Sequence, residues 1–164
     1  MSNKNSLGPG TYLTCMLVAA LYIALGSSVA SAADPGRSFT GATYVITVMD
    51  PQGNFASRGV IALHAGGTMS ATDSGQGGPT FFFSSQLGSW KPNTAGGVVA
   101  RTIDFDYPPN ADVARLDYTL QFTNKGTQIT GTITLTIFPL TADPLGGGGT
   151  VVGTFTFTGD VVTP

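Results

Sequence analysis

The fold is decided by the segment Thr127–Phe138, which reads TQITGTITLTIF. From Ile129 onwards, odd positions carry isoleucine, leucine or glycine, and even positions up to Thr136 carry threonine. Because successive side chains of a β-strand point to opposite faces, one face of this segment is apolar and the other carries hydroxyl groups. Residues that favour extended structure stand on both faces. The segment therefore predicts a β-strand that packs its apolar face into a core.

Much of the remaining chain repeats this design between turn signals. Pro51 and Gly53 mark one turn, and Gly66-Gly67 marks a hairpin. No segment after the N-terminal apolar run shows sustained helical periodicity. The eight predicted strands are Thr43–Met49, Ser57–Ala65, Thr68–Asp73, one within Thr80–Trp90, Gly97–Tyr107, Val113–Thr123, Thr127–Phe138 and Val151–Val162.

The short connections predict an all-β fold, an eight-stranded antiparallel up-and-down β-barrel. A meander must close on itself or leave two exposed edges, and eight strands close around a space that side chains or one small ligand can fill. A closed barrel is therefore favoured over an open sandwich. An outer-membrane barrel is a further alternative, but it requires the Ile/Phe face outside and the threonines inside. The chain end, Val161–Pro164, also lacks a terminal aromatic residue.

The N-terminal segment has the pattern of a secretory signal peptide. Lys4 precedes the apolar run Tyr12–Leu25, and Ala30-Ser31-Ala32 forms a small-x-small cleavage site. The run is shorter than the roughly 20 residues that a membrane-spanning helix needs. We expect residues 1–32 to be a signal peptide, 33–42 a leader and 43–164 a single barrel domain. The expected location is secreted or periplasmic.

Composition excludes several kinds of site. The only cysteine, Cys15, lies in the signal segment, so disulfides and thiolate chemistry are not expected after cleavage. All nine acidic residues are Asp, and the charge is spread thinly, which gives no basic patch for nucleic acid. The single histidine and scattered Asp residues do not predict a metal site. No cofactor, nucleic acid or stable membrane insertion is expected.

Two segments carry a resemblance to known proteins. They are Ile61–Thr68, which reads IALHAGGT, and Leu87–Lys91, which reads LGSWK. They resemble small exported bacterial lipocalin-like (calycin-like) barrel proteins, in which a Leu-His-Ala-x-Gly-Thr hairpin precedes a Gly-x-Trp strand. In size and meander the chain is also similar to the barrels of allene oxide cyclases and dirigent proteins. The resemblance implies an exported barrel with an interior able to hold a small molecule.

The candidate ligand-binding residues are those that the alternation or the aromatic pattern assigns to the barrel interior. Arg101 shares the parity of Val99 and Ile103, so a straight strand aims it inward. It is interpreted as an anchor for a ligand carboxylate or enolate, or as a structural arginine stacked on Trp90 at the barrel end. A bulge could also turn Arg101 outward, although the long regular strand argues against it. The full candidate set is Arg101, Tyr44, Tyr107, Tyr118, Trp90, Phe105, Phe122, Phe155 and Phe157.

Other polar residues are interpreted as surface groups. His64 could act as a general base, but a single histidine beside a Gly-Gly turn is more typical of a surface residue. Asp104 and Asp106 alternate with Phe105, so the pattern places them in solvent with Thr102, paired across strands with Arg115. One ring of Phe81–Phe83 is expected to be exposed or to cover the barrel mouth.

The sequence favours a non-catalytic exported barrel that binds a small apolar or amphipathic ligand. No catalytic residue is assigned, so enzymatic activity stays an open alternative. If the protein is an enzyme, a cyclase or isomerase acting on a hydrophobic substrate is expected, because such a barrel mainly shapes its substrate. A third alternative is a filled barrel that acts through its surface.

Overall fold

The computed structural model describes residues 41–77 and 82–164. The predicted signal peptide and residues 33–40 of the predicted leader lie outside this part of the chain, as does Phe81. Among the described residues, no helix is long and apolar enough to cross a membrane.

The described chain forms a closed antiparallel barrel in which each strand pairs with its neighbours in sequence order and β1 pairs with β8. This confirms the predicted fold class, including closure. β1 begins at Gly41, two residues earlier than predicted, and β4 begins only at Gln86. The strands are β1 Gly41–Met49, β2 Phe55–His64, β3 Thr68–Asp73, β4 Gln86–Pro92, β5 Val98–Phe105, β6 Asp112–Thr123, β7 Gln128–Pro139 and β8 Thr150–Val161, with a short 3-10 helix at Asn124–Gly126.

β7 shows why the alternating segment specifies the fold. Ile129 and Ile133 are buried inside the barrel, whereas Thr130 and Thr132 are exposed outside it. The strand pairs with β6 along its whole length and with β8 from Gln128 to Ile137. Because an alternating strand loses its burial if its pairing slips by one residue, this pattern also fixes the register.

The mouth end of β7 is covered on its outer side as well. Phe138 is buried there, and the Arg115 guanidinium lies 4.9 Å from the centre of its ring. The Arg115 Nη1 atom also donates hydrogen bonds to the carbonyl oxygens of Pro144 (2.9 Å) and Gly146 (3.0 Å). These contacts hold the connection between β7 and β8 against the barrel wall.

β5 has the opposite orientation to the one predicted. Val98, Ala100, Thr102 and Asp104 are buried, while Arg101 and Phe105 are exposed. The prediction assumed that the more apolar set of residues must face inward. This strand instead turns small and polar side chains towards the interior, so the assignment of Thr102, Asp104 and Asp106 to solvent is also wrong.

The interior divides into two parts, here named the packed half and the open half. The packed half contains the beginning of β1, the end of β8 and the turns β2–β3, β4–β5 and β6–β7. The open half ends in the mouth, which is formed by the connections β1–β2, β3–β4, β5–β6 and β7–β8. The packed half is filled by large side chains in mutual contact, among them Tyr44, Leu63, Met69, Val98, Leu120, Ile129 and Phe157.

Candidate ligand-binding site

The open half encloses a cavity of about 530 Å³. Its walls include residues of all eight strands. Aliphatic and aromatic side chains make up much of this lining, including Ile46, Val48, Ile61, Leu116, Ile133, Leu135, Ile137 and Phe155. A concave, mostly apolar space of this size with a few polar groups is typical of small-molecule sites.

A buried hydrogen-bonded group stands between β4, β5 and β6. The Gln86 Oε1 atom accepts a hydrogen bond from the Tyr118 hydroxyl at 2.6 Å and one from the Thr102 hydroxyl at 3.2 Å. All three side chains are buried, and Gln86 and Tyr118 line the cavity. Burial raises the pKa of Tyr118 well above its usual range, so the phenol stays neutral and keeps donating to Gln86.

A second polar feature is acidic. Asp104 on β5 is only 3% exposed and lines the cavity, together with Asp106 and Asp112 nearer the mouth. Burial, and secondarily the charge of Asp106, raises the pKa of Asp104 to about 7. Burial and the charge of Asp112 also raise the pKa of Asp106. Both shifts arise because an apolar wall and neighbouring carboxylates disfavour the ionised form.

The edge of the mouth is fixed by backbone pairing outside the regular strands. Phe83 and Asp106 form an antiparallel bridge, and the Tyr107 amide donates a hydrogen bond to the carbonyl oxygen of Phe82 at 2.6 Å. Phe83 thereby lines the cavity beside Asp106, whereas Phe82 is exposed. One ring of the predicted aromatic trio lies at the mouth and another lies in solvent.

Arg101 does not lie in the barrel interior. Its side chain is 43% exposed on the outer face, where Nε contacts Asp117 Oδ1 at 2.6 Å. Arg115 Nε lies 3.0 Å from the other oxygen of the same carboxylate. Both interpretations of Arg101, as an interior anchor and as an arginine closing the barrel end, are wrong, because each requires its side chain to lie inside the barrel. The proposed pairing of Arg115 with Asp104 or Asp106 is likewise replaced by its ion pair with Asp117.

The other predicted site residues fall into three groups. Phe105 and Tyr107 are about half exposed, and Tyr107 lines a shallow crevice outside the cavity with Phe82 and Gln76. Tyr118 and Phe155 line the cavity, as the alternation predicted. The remaining four belong to the packed half: Tyr44, Trp90, Phe122 and Phe157.

Two of those four also have polar contacts that serve the packed half. The Tyr44 hydroxyl donates to the carbonyl oxygen of Gly126 at 2.9 Å, and the Trp90 indole donates to the carbonyl oxygen of His64 at 3.0 Å. His64 itself is exposed, with its Nε2 atom 3.1 Å from the Ser70 hydroxyl, as expected of a surface residue. These hydrogen bonds tie aromatic side chains to the turns of the packed half.

Sequence reasoning missed Gln86, Thr102 and Asp104 as interior residues. One signal in the sequence could have identified Thr102 and Asp104. The alternation of β6 already placed Asp117 outside, and an arginine on the neighbouring strand is a natural partner for that carboxylate. Placing Arg101 opposite Asp117 would have turned Thr102 and Asp104 inward.

Across residues 41–77 and 82–164, no group of three or more His, Cys, Asp or Glu side chains is arranged to hold a metal ion. No protein-family model, curated protein or solved structure matches the chain.

Proposed function

We propose that this protein is an exported, non-catalytic, lipocalin-like barrel that binds a small apolar or amphipathic ligand. The observation that carries the proposal is the cavity of about 530 Å³ in the open half, with its largely apolar wall. Burying a ligand against such a wall is favourable by about 25 cal/mol for each Å² of apolar surface removed from water. Gln86, Tyr118 and Asp104 supply polar groups that would orient the ligand.

A neutral fluorescent probe tests this proposal on the full chain. N-phenyl-1-naphthylamine should bind saturably, with increased emission, because its two ring systems match an apolar cavity of this size. Ala114 is buried, lines the cavity and lies on β6, so Ala114→Phe should place a ring in the ligand space and weaken probe binding at least about tenfold.

Ala62→Phe is the matched control. Ala62 lies on β2 between the inward-facing Ile61 and Leu63, so its side chain points outward and the added ring should leave binding unchanged. No saturable binding to the parent protein would contradict the proposal, as would equal binding by the two variants when circular dichroism shows both folded.

A cyclase or isomerase is the second candidate, and Asp104 is the observation that favours it. A carboxyl group with a pKa of about 7 in an apolar cavity can donate or accept a proton near neutral pH. If the protein is such an enzyme, we expect it to convert a co-purifying compound to an isomer of equal mass but different chromatographic retention. Asp104→Asn should abolish that conversion and retain binding, whereas a carrier returns the compound unchanged.

A further inference from the structure

The polar groups of the cavity have a strong bias in charge. Four aspartates line it, and none of the described lining residues is Lys, Arg or His. One of the four, Asp73, is already satisfied, because its two carboxylate oxygens accept hydrogen bonds from the Gly75 amide and the Ser57 hydroxyl, both at 2.7 Å. The bias is therefore concentrated at Asp104, Asp106 and Asp112.

Asp104 stands out because it is buried without a partner. Its Oδ1 atom is shielded from solvent, and no hydrogen bond to it is formed within the described part of the chain. Folded proteins pair nearly all of their buried polar atoms, since leaving one unpaired is costly. A buried carboxyl group that borders a ligand-sized cavity and leaves one oxygen unpaired points to a hydrogen-bond donor or cation supplied from outside the protein.

The groups facing Asp104 offer it no positive charge. Asp106 and Asp112 approach from the connection to β6 and from β6 itself, Tyr118 from β6, Gln86 from β4 and Asp73 from β3. The nearby cations are on the outer wall. Arg115 is bound to Asp117 and to the β7–β8 connection, and Arg58 is an exposed residue of β2.

Resting on the binding role above, we propose that the ligand is a cationic amphiphile whose protonated amine is held by Asp104, with Asp106 beside it. Its apolar part lies against Leu116, Leu135 and Phe155. An organic ammonium suits this site better than a metal ion, because the described residues include no group of three ligating side chains arranged for a metal. An ammonium group supplies both the missing donor and the missing positive charge.

Proton linkage follows from this arrangement. An ammonium group beside Asp104 favours the carboxylate, so binding near neutral pH releases the proton that burial had retained. An alkylamine stays protonated below about pH 10. Its affinity should therefore rise between pH 5.5 and 8.5, whereas that of an alcohol with the same chain should stay nearly constant.

The test displaces N-phenyl-1-naphthylamine from the full chain with n-octylamine, n-octanol and n-octanoate, each kept below its solubility limit and below any micellar concentration. At pH 8.5 octylamine should compete roughly ten- to a hundredfold better than octanol, the gain expected of a charge-assisted hydrogen bond. Octanoate should be the weakest competitor. In Asp104→Asn the amine should fall to the level of the alcohol, while the alcohol is unchanged.

Asp117→Asn is the matched control, because it removes a carboxylate from the outer wall and should preserve the preference for the amine. Equal competition by amine and alcohol would overturn the inference, as would a stronger octanoate or a preference unaffected by Asp104→Asn. The affinity of the parent protein for octylamine, measured from pH 5.5 to 8.5, gives a second test that needs no variant. If the probe itself does not bind, the proposed ligand-binding function is wrong. If the probe and octanol bind but octylamine is not preferred, only the proposed cationic ligand is wrong.

Discussion

The packed half and the open half of the barrel are built from the same eight strands, but they differ in the size and polarity of their inward-facing side chains. In the packed half, inward positions carry Tyr44, Leu120 and Phe157, which exclude further space. In the open half, the equivalent faces carry Ala114 and Asp104, and a cavity remains. One half therefore accounts for much of the core packing, and the other is free to carry polar groups that a packed core would not tolerate.

The largest expected difference between the halves concerns two phenylalanines on the same face of β8. Phe157 is buried in the packed half, with its ring edge-on to Tyr118 at 6.4 Å between centroids, whereas Phe155 borders the cavity. Phe157→Ala should lower the free energy of unfolding by about 3–5 kcal/mol, because it empties a packed volume. Phe155→Ala should cost only about 1 kcal/mol, because part of that ring already faces space.

Urea denaturation of both variants measures the difference. Equal losses would mean that the two halves contribute alike to stability.

The second prediction uses the titration of Asp104 to examine the open half. Its pKa is 3.8 when unperturbed and about 7 in the folded protein, so the folded state holds the proton more tightly. Asp104 therefore does not destabilise the folded protein below about pH 4, where the group is protonated in both states. As pH rises from about 4 to about 7, the folded protein becomes progressively less stable relative to the unfolded chain. Asp104→Asn removes this loss and should stabilise the protein at pH 8 by roughly 2–4 kcal/mol.

Denaturation curves at pH 8 and pH 3.5 check the sign. The gain should nearly vanish at the lower pH, and a variant less stable than the parent at pH 8 would show that Asp104 is compensated in the folded protein.

Two glycines provide a smaller contrast. A Cβ atom on Gly131 would clash with the carbonyl oxygen of Thr119 and lie 2.7 Å from the Phe157 ring, whereas one on Gly153 would meet nothing closer than 3.6 Å. Gly131→Ala should destabilise the protein by about 1–3 kcal/mol through overpacking. Gly153→Ala should be neutral or stabilising by about 0.5 kcal/mol, since alanine restricts the unfolded chain. Thermal unfolding of the pair provides the measurement.

The smallest effect is expected on the outer wall, which belongs to neither half. Arg101→Ala breaks an exposed ion pair with Asp117 and should change stability by less than about 1 kcal/mol. Binding of N-phenyl-1-naphthylamine should not change, because the Arg101 side chain lies outside the cavity. A marked loss of probe binding would show that the outer wall and the cavity are coupled.

A comparison of β7 with β5 shows which parts of the fold and of the candidate site could be predicted from the sequence. In β7, the alternation of isoleucine and threonine agrees with burial from Ile129 to Ile133, so the strand and its inward face were predictable. In β5 both parities carry apolar residues, and the interior set includes Thr102 and Asp104. Burial there is decided by what the neighbouring strands enclose, which a single strand does not reveal. The candidate site was thus predictable at Tyr118 and Phe155 but not at its acidic wall.

The direction of the strands has a practical consequence. Gly41, where β1 begins, and Val161, where β8 ends, both lie at the end of the barrel opposite the mouth. A surface linkage or fluorescent tag attached after β8 would therefore leave the mouth facing the bulk solution. Such an immobilised barrel could be exposed to successive solutes and washed, and would serve as a reusable sensor for whatever enters it.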